Sequence, residues 1–236
     1  MCSSGKLGVA ARLGLFERKG GFATTMTTVG ILGITHDPVL QERCHLPLTR
    51  VRSLIEAFRP DVICGEVEPR SWRLYQQTGD ARGILGETPT EYPALIYPFC
   101  AERGIEFVPV DWFLEDVFQE GIFDRFEPAR RTELERELER WQEWQLGTLD
   151  VGGLPLNSDA YDAVTRGLYA WLAQVNPGVQ AVVWEARHAI MLGRVRAAIR
   201  RHPGRRVLCI HGADHNYAYR HALGARSDLR VVFPLA

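Results

Sequence analysis

Short runs of apolar and β-branched residues alternate with segments of helical spacing, and this alternation constrains the fold more than any other feature. The clearest run, Thr28–Ile34, has the composition of a strand buried on both faces of a parallel sheet, and Pro38 prevents its continuation. Two further runs, Asp61–Glu66 and Ile105–Val110, follow segments with helical periodicity. Three successive strand–helix units predict a three-layer α/β fold, with a central, mostly parallel sheet flanked by helices.

The second half of the chain resumes the pattern after an interruption. Asn176 and Pro177 are a capping residue and a first-turn proline, which predict the start of a helix that runs to about Arg201. Further strands are predicted at Val207–Ile210 and at Leu229–Phe233, the last of them at an edge of the sheet.

The interruption, at about residues 114–165, predicts a helical insertion. It contains Glu127–Leu146, a charge-rich segment with leucine and tryptophan at three- and four-residue steps. This helix is either a solvated surface helix or a cover over a site at the edge of the sheet.

The length of 236 residues suits one large α/β domain, which we assign to residues 26–236. Residues 1–25 differ from that domain, because both lysines of the chain, Lys6 and Lys19, lie there and hydrophobic periodicity is weak. We expect this segment to be a mobile tail, or an upstream extension of a protein that starts at Met26.

Charge, cysteine content and missing motifs exclude several classes of protein. The chain has 28 lysines and arginines against 29 acidic residues, so no excess charge favours nucleic acid or a membrane surface as a partner. No apolar run approaches the roughly 20 residues of a membrane span. The five cysteines form no CxxC pair, which predicts free thiols in a reducing compartment, the cytoplasm. The chain also lacks the GxSxG, phosphate-loop and GxGxxG motifs.

Histidines and acidic residues follow the ends of four predicted strands. In an open α/β sheet the ligand site lies in the crevice outside the carboxyl ends of the strands, so these side chains should meet there. The residues concerned are His36, Glu66, Glu68, Asp111, Asp214 and His215.

A glycine precedes two of these histidines by three positions. Gly33 and Gly212 stand where a strand must turn, which predicts either close backbone packing or a positive φ. One GxxH tetrapeptide is a weak motif, but its occurrence at two predicted strand ends makes His36 and His215 the leading catalytic candidates.

Two imidazoles and one carboxylate allow two kinds of chemistry. His36, Glu66 and His215 could bind a divalent metal such as Mn, Co or Zn, which would acidify a bound water. Alternatively, one histidine acts as a general base on water, oriented by Glu66 or Asp214, and the other assists the leaving group. The residues leave both alternatives open.

Several segments resemble one family. The TraB/Tiki superfamily, which includes the erythromycin esterase and ChaN-like groups, pairs two GxxH motifs with a strand-end glutamate and an arginine on a late helix. The matching segments are GITH at Gly33–His36, PDVICGEVEPR at Pro60–Arg70, WEARHAIM at Trp184–Met191 and GADH at Gly212–His215. The segment RGIEFVPVD, which ends at Asp111, resembles a strand of the esterase branch.

The resemblance implies a role for the arginine of the late helix. Arg187 would bind an oxyanion or a substrate carboxylate through its planar fork, or else would only form a helix-surface ion pair with Glu185. His188 stands where the family usually has Asn or Asp, so it is either a binding residue or a core histidine.

We therefore expect a hydrolase of ester, lactone or amide bonds that acts on a small molecule or a peptide. The predicted catalytic residues are His36, Glu66, His215 and Arg187, and the predicted binding residues are Glu68, Asp111, Asp214 and His188. The alternative is a non-catalytic or regulatory protein that binds a small molecule, haem or a metal in the same pocket. The sequence does not determine the oligomeric state.

Overall fold

A computed structural model describes residues 26–81, 91–114, 118, 121–149 and 153–235. Residues 1–25, predicted to be a tail or an extension, lie outside the described residues.

Five parallel strands form the central sheet of the described chain. They are β1 (Thr27–Ile34), β2 (Val62–Gly65), β3 (Glu106–Pro109), β4 (Arg206–Gly212) and β5 (Leu229–Val232). Their order is β3-β2-β4-β1-β5, so β5 lies at an edge as predicted. The predicted three-layer α/β fold is confirmed, and the sheet is entirely rather than mostly parallel.

Helices connect the strands and flank the sheet. They are α1 (Pro38–Arg43), α2 (Leu48–Phe58), α3 (Pro69–Thr78), α4 (Tyr97–Arg103), α5 (Pro128–Leu146), α6 (Asp159–Val175), α7 (Pro177–Val179), α8 (Arg187–Arg201) and α9 (Asn216–Gly224). A π-helical segment, Tyr92–Ile96, precedes α4, and a second, Gln180–Ala186, joins α7 to α8. The predicted helix from Pro177 to Arg201 is therefore continuous.

Alternate strand residues point to opposite faces of the sheet and form two cores. Leu32, Ile63 and Leu208 pack on one face with Ile55 of α2. The opposite face packs against α8, where Met191 is among the buried residues. The four described cysteines, Cys44, Cys64, Cys100 and Cys209, are buried free thiols.

The helical insertion contains a second helix, α6, that was not predicted from the sequence. Ser158 caps α6 by accepting the Tyr161 N–H, and acidic residues occupy the first turn. The helix continues to Val175, beyond the predicted end of the insertion at Thr165. Buried Leu134 of α5 packs against Leu168 of α6, so the two helices share a third core.

None of the helices in the described part of the chain combines the length and apolar character needed to cross a bilayer.

Candidate active site

The carboxyl ends of three adjacent strands bring the central candidates together. β4 lies between β1 and β2, and Ile34 pairs with Gly212 while Gly65 pairs with Ile210. His36 follows β1 by two residues, Glu66 follows β2 directly, and His215 ends the 3₁₀ turn Ala213–His215 after β4. The parallel order therefore brings the three side chains to one edge, as the strand-end prediction required.

The Glu66 carboxylate is the centre of the site and is only 3% exposed. Its Oε1 accepts a hydrogen bond from Arg187 Nη2 at 2.7 Å and lies 3.1 Å from His215 Nε2. Its Oε2 accepts the Gly212 N–H at 2.6 Å and lies 3.4 Å from His36 Nε2. Burial favours a raised pKa for Glu66, but neighbouring His215, Arg187 and His36 outweigh burial and hold that pKa well below its usual range. Glu66 is therefore ionised.

Arg187 joins Glu66 to Asp111, which is fully buried at the end of β3. Its Nε and Nη2 donate to the two oxygens of Asp111 at 2.7 and 2.9 Å, the bidentate geometry of an ion pair. Burial raises the pKa of Asp111, and the Arg187 guanidinium opposes that rise. Arg187 pairs with Glu66 and Asp111, in place of the alternative surface pair with Glu185, and this buried pairing fixes the guanidinium at the cavity wall.

His36 is held between two carboxylates. Its Nδ1 lies 2.6 Å from Glu91 Oε1, and Glu91 is completely buried. Burial lowers the pKa of His36, but Glu66 and Glu91 outweigh burial, so the pKa lies well above the ordinary value. The His36 side chain is 27% exposed and lines a cavity, while its Nε2 is buried and faces Glu66 Oε2 at 3.4 Å.

His215 is packed behind Glu66 and is supported by a second histidine. Its Nδ1 lies 2.6 Å from His188 Nε2, and its side chain is 3% exposed. Burial, with His215 nearby, lowers the pKa of His188 to about 3, so His188 is neutral. His188 is therefore a buried residue near the start of α8, where it contacts His215.

The other two predicted binding residues lie apart from Glu66. The Asp214 carboxylate lines the cavity and accepts hydrogen bonds from Gln145, Tyr161 and Tyr169. Glu68 instead caps α3, where it accepts the N–H groups of Arg70 and Ser71, and it is not among the cavity-lining residues. Its position fits a cap better than a binding role.

The two glycines allow close packing, and neither has a positive φ. A Cβ added to Gly33 would collide with the Asn216 amide, and one added to Gly212 would lie 3.2 Å from His36 Nε2. Of the two roles expected for these glycines, close backbone approach is the one the fold uses.

A cavity of about 650 Å³ opens onto the site. His36, Glu66 and Arg187 contribute its polar end, and Phe113 and Trp184 belong to its apolar wall. Gln145 and Leu146 of α5, with Tyr161 of α6, also line it, so the insertion covers the site while its outer face stays exposed. The volume lies within the roughly 300–1,000 Å³ typical of small-molecule sites.

Three residues of the site were not predicted from the sequence. Glu91 orients His36, the Tyr92 hydroxyl accepts the Glu66 N–H at 2.7 Å, and the Asn157 amide pairs with both backbone groups of Gly33 at 2.8 Å. Glu91 and Tyr92 begin a helix and do not follow a strand, so the strand-end rule could not find them. An acid directly before an apolar helix was the available signal.

The side chains present do not fit a metal ion in this arrangement. Each oxygen of Glu66 already accepts a short N–H bond, one of them from a guanidinium that would repel a cation. The Nε2 atoms of His36 and His215 face the same two oxygens, at 3.4 and 3.1 Å. In the described ranges, no three His, Cys, Asp or Glu side chains are grouped so as to hold a metal. The metal alternative stays a prediction.

Compared with known proteins, the chain matches no family model and no curated protein. The TraB/Tiki resemblance therefore rests on the motifs alone and stays a prediction.

Proposed function

We propose that the chain hydrolyses an ester, lactone or amide bond, with His36 as the general base that activates water. The observation that carries this proposal is the pair of His36 and Glu91, in which a cavity-lining imidazole is held at 2.6 Å by a fully buried carboxylate. A carboxylate in this position orients the imidazole and stabilises the imidazolium that forms when Nε2 takes a proton.

The proposed reaction begins from neutral His36. Its Nε2 separates from Glu66 to meet a water in the cavity and takes a proton from it. The water oxygen attacks the carbonyl carbon, and the carbonyl oxygen becomes an oxyanion. Arg187 faces the cavity, and its Nη1 makes no hydrogen bond within the described chain, so it can donate to that oxyanion. Collapse of the tetrahedral intermediate breaks the bond to the leaving group, which takes the proton from His36.

Glu66 and His215 are assigned supporting roles in this proposal. The ionised Glu66 binds Arg187 and His215 directly and also faces His36, so it fixes their relative positions. Both histidines line the cavity, but the side chain of His215 is 3% exposed against 27% for His36. We therefore assign proton transfer to His36 and not to His215.

The cavity supports a small-molecule substrate over a peptide. Its volume and its apolar wall, which includes Phe113 and Trp184, suit a compact apolar acyl or alcohol group. The same wall would also serve a protein that binds a small molecule or haem without turnover, which is the second candidate function. We place either function in a reducing compartment such as the cytoplasm, since the described cysteines are free thiols.

The test is turnover of a panel containing nitrophenyl acyl esters, a lactone and a short peptide. We expect hydrolysis of an ester or the lactone by the wild-type chain and its loss in His36→Gln, with the circular dichroism spectrum unchanged. His221→Gln, an exposed histidine on α9, is the matched control and should keep full activity.

Three outcomes would overturn the proposed mechanism or select another function. Full activity in His36→Gln would show that His36 is not the general base. Activity that is lost on chelation and restored by Mn, Co or Zn selects the metal alternative. Ligand binding without turnover of any panel member selects the binding protein.

A further inference from the structure

Asp214 is a cavity-lining carboxylate whose hydrogen-bond partners are all neutral. Its Oδ1 accepts from Gln145 Nε2 at 2.9 Å and from the Tyr161 hydroxyl at 2.8 Å, and its Oδ2 accepts from the Tyr169 hydroxyl at 2.9 Å. Burial and the Asp214 charge raise the pKa of both phenols, so the hydroxyls remain protonated and donate. These bonds orient the carboxylate and leave its charge unbalanced.

No cationic side chain of the described ranges forms an ion pair with Asp214. The cavity contains Arg187, but that guanidinium is engaged by Glu66 and Asp111. Arg43 also lines the cavity, and it is exposed to solvent on α1. A half-buried carboxylate at a cavity without a counter-ion in the described ranges can pair with a cationic group that enters the cavity.

Aromatic rings lie at the same end of the cavity as Asp214. Tyr169 donates to Asp214 and packs on Trp184, with ring centroids 4.0 Å apart. Trp184 and Tyr161 both line the cavity. A carboxylate beside aromatic side chains is the combination that binds alkylammonium groups, by charge pairing and by cation–π attraction.

Asp214 also has a structural role. It links α5 and α6 to the sheet edge, because Gln145 belongs to α5 and both tyrosines belong to α6. Donors reach both of its oxygens, and an amide side chain has only one accepting oxygen, so this role requires a carboxylate. The position of that charge at the cavity, without a cationic partner in the described ranges, is what points to a ligand.

We propose that the Asp214 end of the cavity binds a quaternary or protonated tertiary amine carried by a small molecule. The proposal rests on the proposed function only for the statement that this molecule is a substrate. Gly212 connects the two sites, since its N–H binds Glu66 and it lies two residues before Asp214. The amine would thus be bound in the same cavity as the hydrolysed bond.

The binding test compares choline with 3,3-dimethylbutan-1-ol, which has the same shape but carries carbon in place of the charged nitrogen. We expect the wild-type chain to bind choline about tenfold more tightly, as measured by ligand-observed NMR titration. Asp214→Asn keeps one accepting oxygen and the shape of the side chain and removes the charge, so the preference should fall to near unity. Asp159→Asn, at an exposed carboxylate of α6, is the control and should keep it.

Equal binding of the two probes by the wild-type chain would overturn the proposal, and this comparison needs no variant to fold. An unchanged preference in folded Asp214→Asn would overturn it as well.

A second measurement separates this inference from the proposed hydrolase. The choline ester and the 3,3-dimethylbutyl ester of the same acid are compared as substrates, and a lower KM for the choline ester is expected. Equal hydrolysis of both esters would contradict the proposed amine site but would agree with the proposed hydrolase. Choline binding without hydrolysis of either ester would contradict the proposed hydrolase but would agree with the amine site.

Discussion

The two GxxH segments have the same motif and end neighbouring strands, yet their histidines occupy different environments. His36 has carboxylates at both ring nitrogens and keeps 27% of its side chain exposed. His215 has Glu66 at one nitrogen and His188 at the other, and 3% of it is exposed. A shared motif therefore predicted where both histidines lie, whereas their partners determine what each can do.

The glycines of the two segments differ in the same way. Gly33 lies within β1, and both of its backbone groups are bound by the Asn157 amide. Gly212 ends β4 and donates its N–H to Glu66. The first glycine serves packing and the second serves the site.

The largest expected effect separates the two histidines by activity. His36→Gln should lower kcat/KM by about 10²- to 10⁴-fold, because it removes the general base. Its unfolding midpoint should also fall, because the completely buried Glu91 loses its imidazole partner. His215→Gln should lower the midpoint with a smaller loss of kcat/KM, because the variant disturbs a buried contact with Glu66 but keeps the assigned base. Steady-state kinetics and urea titration check both variants, and a reversed pattern would contradict the assignment.

Ionised Glu66 lies between the two histidines, and Arg187 forms an ion pair with it at 2.7 Å. Arg187→Ala should lower the free energy of unfolding by about 3–5 kcal/mol, because it leaves Glu66 and Asp111 buried without their cation. Urea titration measures the change. Arg52→Ala, which breaks surface pairs with Glu56 and Glu102, is the control and should unfold as the wild type does.

The glycines give a smaller effect that distinguishes packing from chemistry. Gly33→Ala should cost about 1–3 kcal/mol of stability, because the added Cβ collides with the buried Asn216 amide. Gly212→Ala should cost less stability but should lower kcat, because its Cβ presses on His36 Nε2 and Glu66 Oε2. Thermal unfolding and kinetics on the same samples test this. Equal losses of stability and of kcat in the two variants would contradict the separate roles assigned to Gly33 and Gly212.

The smallest expected effect is a shift in pH dependence. Glu66 and Glu91 raise the pKa of His36 above 6.5, so the neutral base forms only as pH rises through that higher value. The rate should therefore increase with pH along a limb whose midpoint lies above 6.5. Glu91→Gln removes one carboxylate and should move the midpoint to lower pH. A rate that falls with pH over this range would make His36 an acid and not a base.

Local periodicity predicted most of the fold. The helix predicted to run to about Arg201 ends at that residue, and the strand ends that carry His36 and Glu66 were placed to within one or two residues. Helix α6 was missed although Ser158 and the acidic first turn signalled its start. Such signals are short and weak, and packing against α5 supplies much of the stability of this helix.

The sequence by itself determined the α/β class, the edge of the sheet at which the site lies and the principal residues that meet there. These follow from periods of two and 3.6 residues and from the parallel order of strands, which are local or topological properties. Only the tertiary structure decided the partners. Glu91 lies 55 positions from His36, and Arg187 lies 121 positions from Glu66. Hydrogen bonds across such separations depend on how the elements pack, so the chemical difference between the two GxxH histidines is a property of the packed fold.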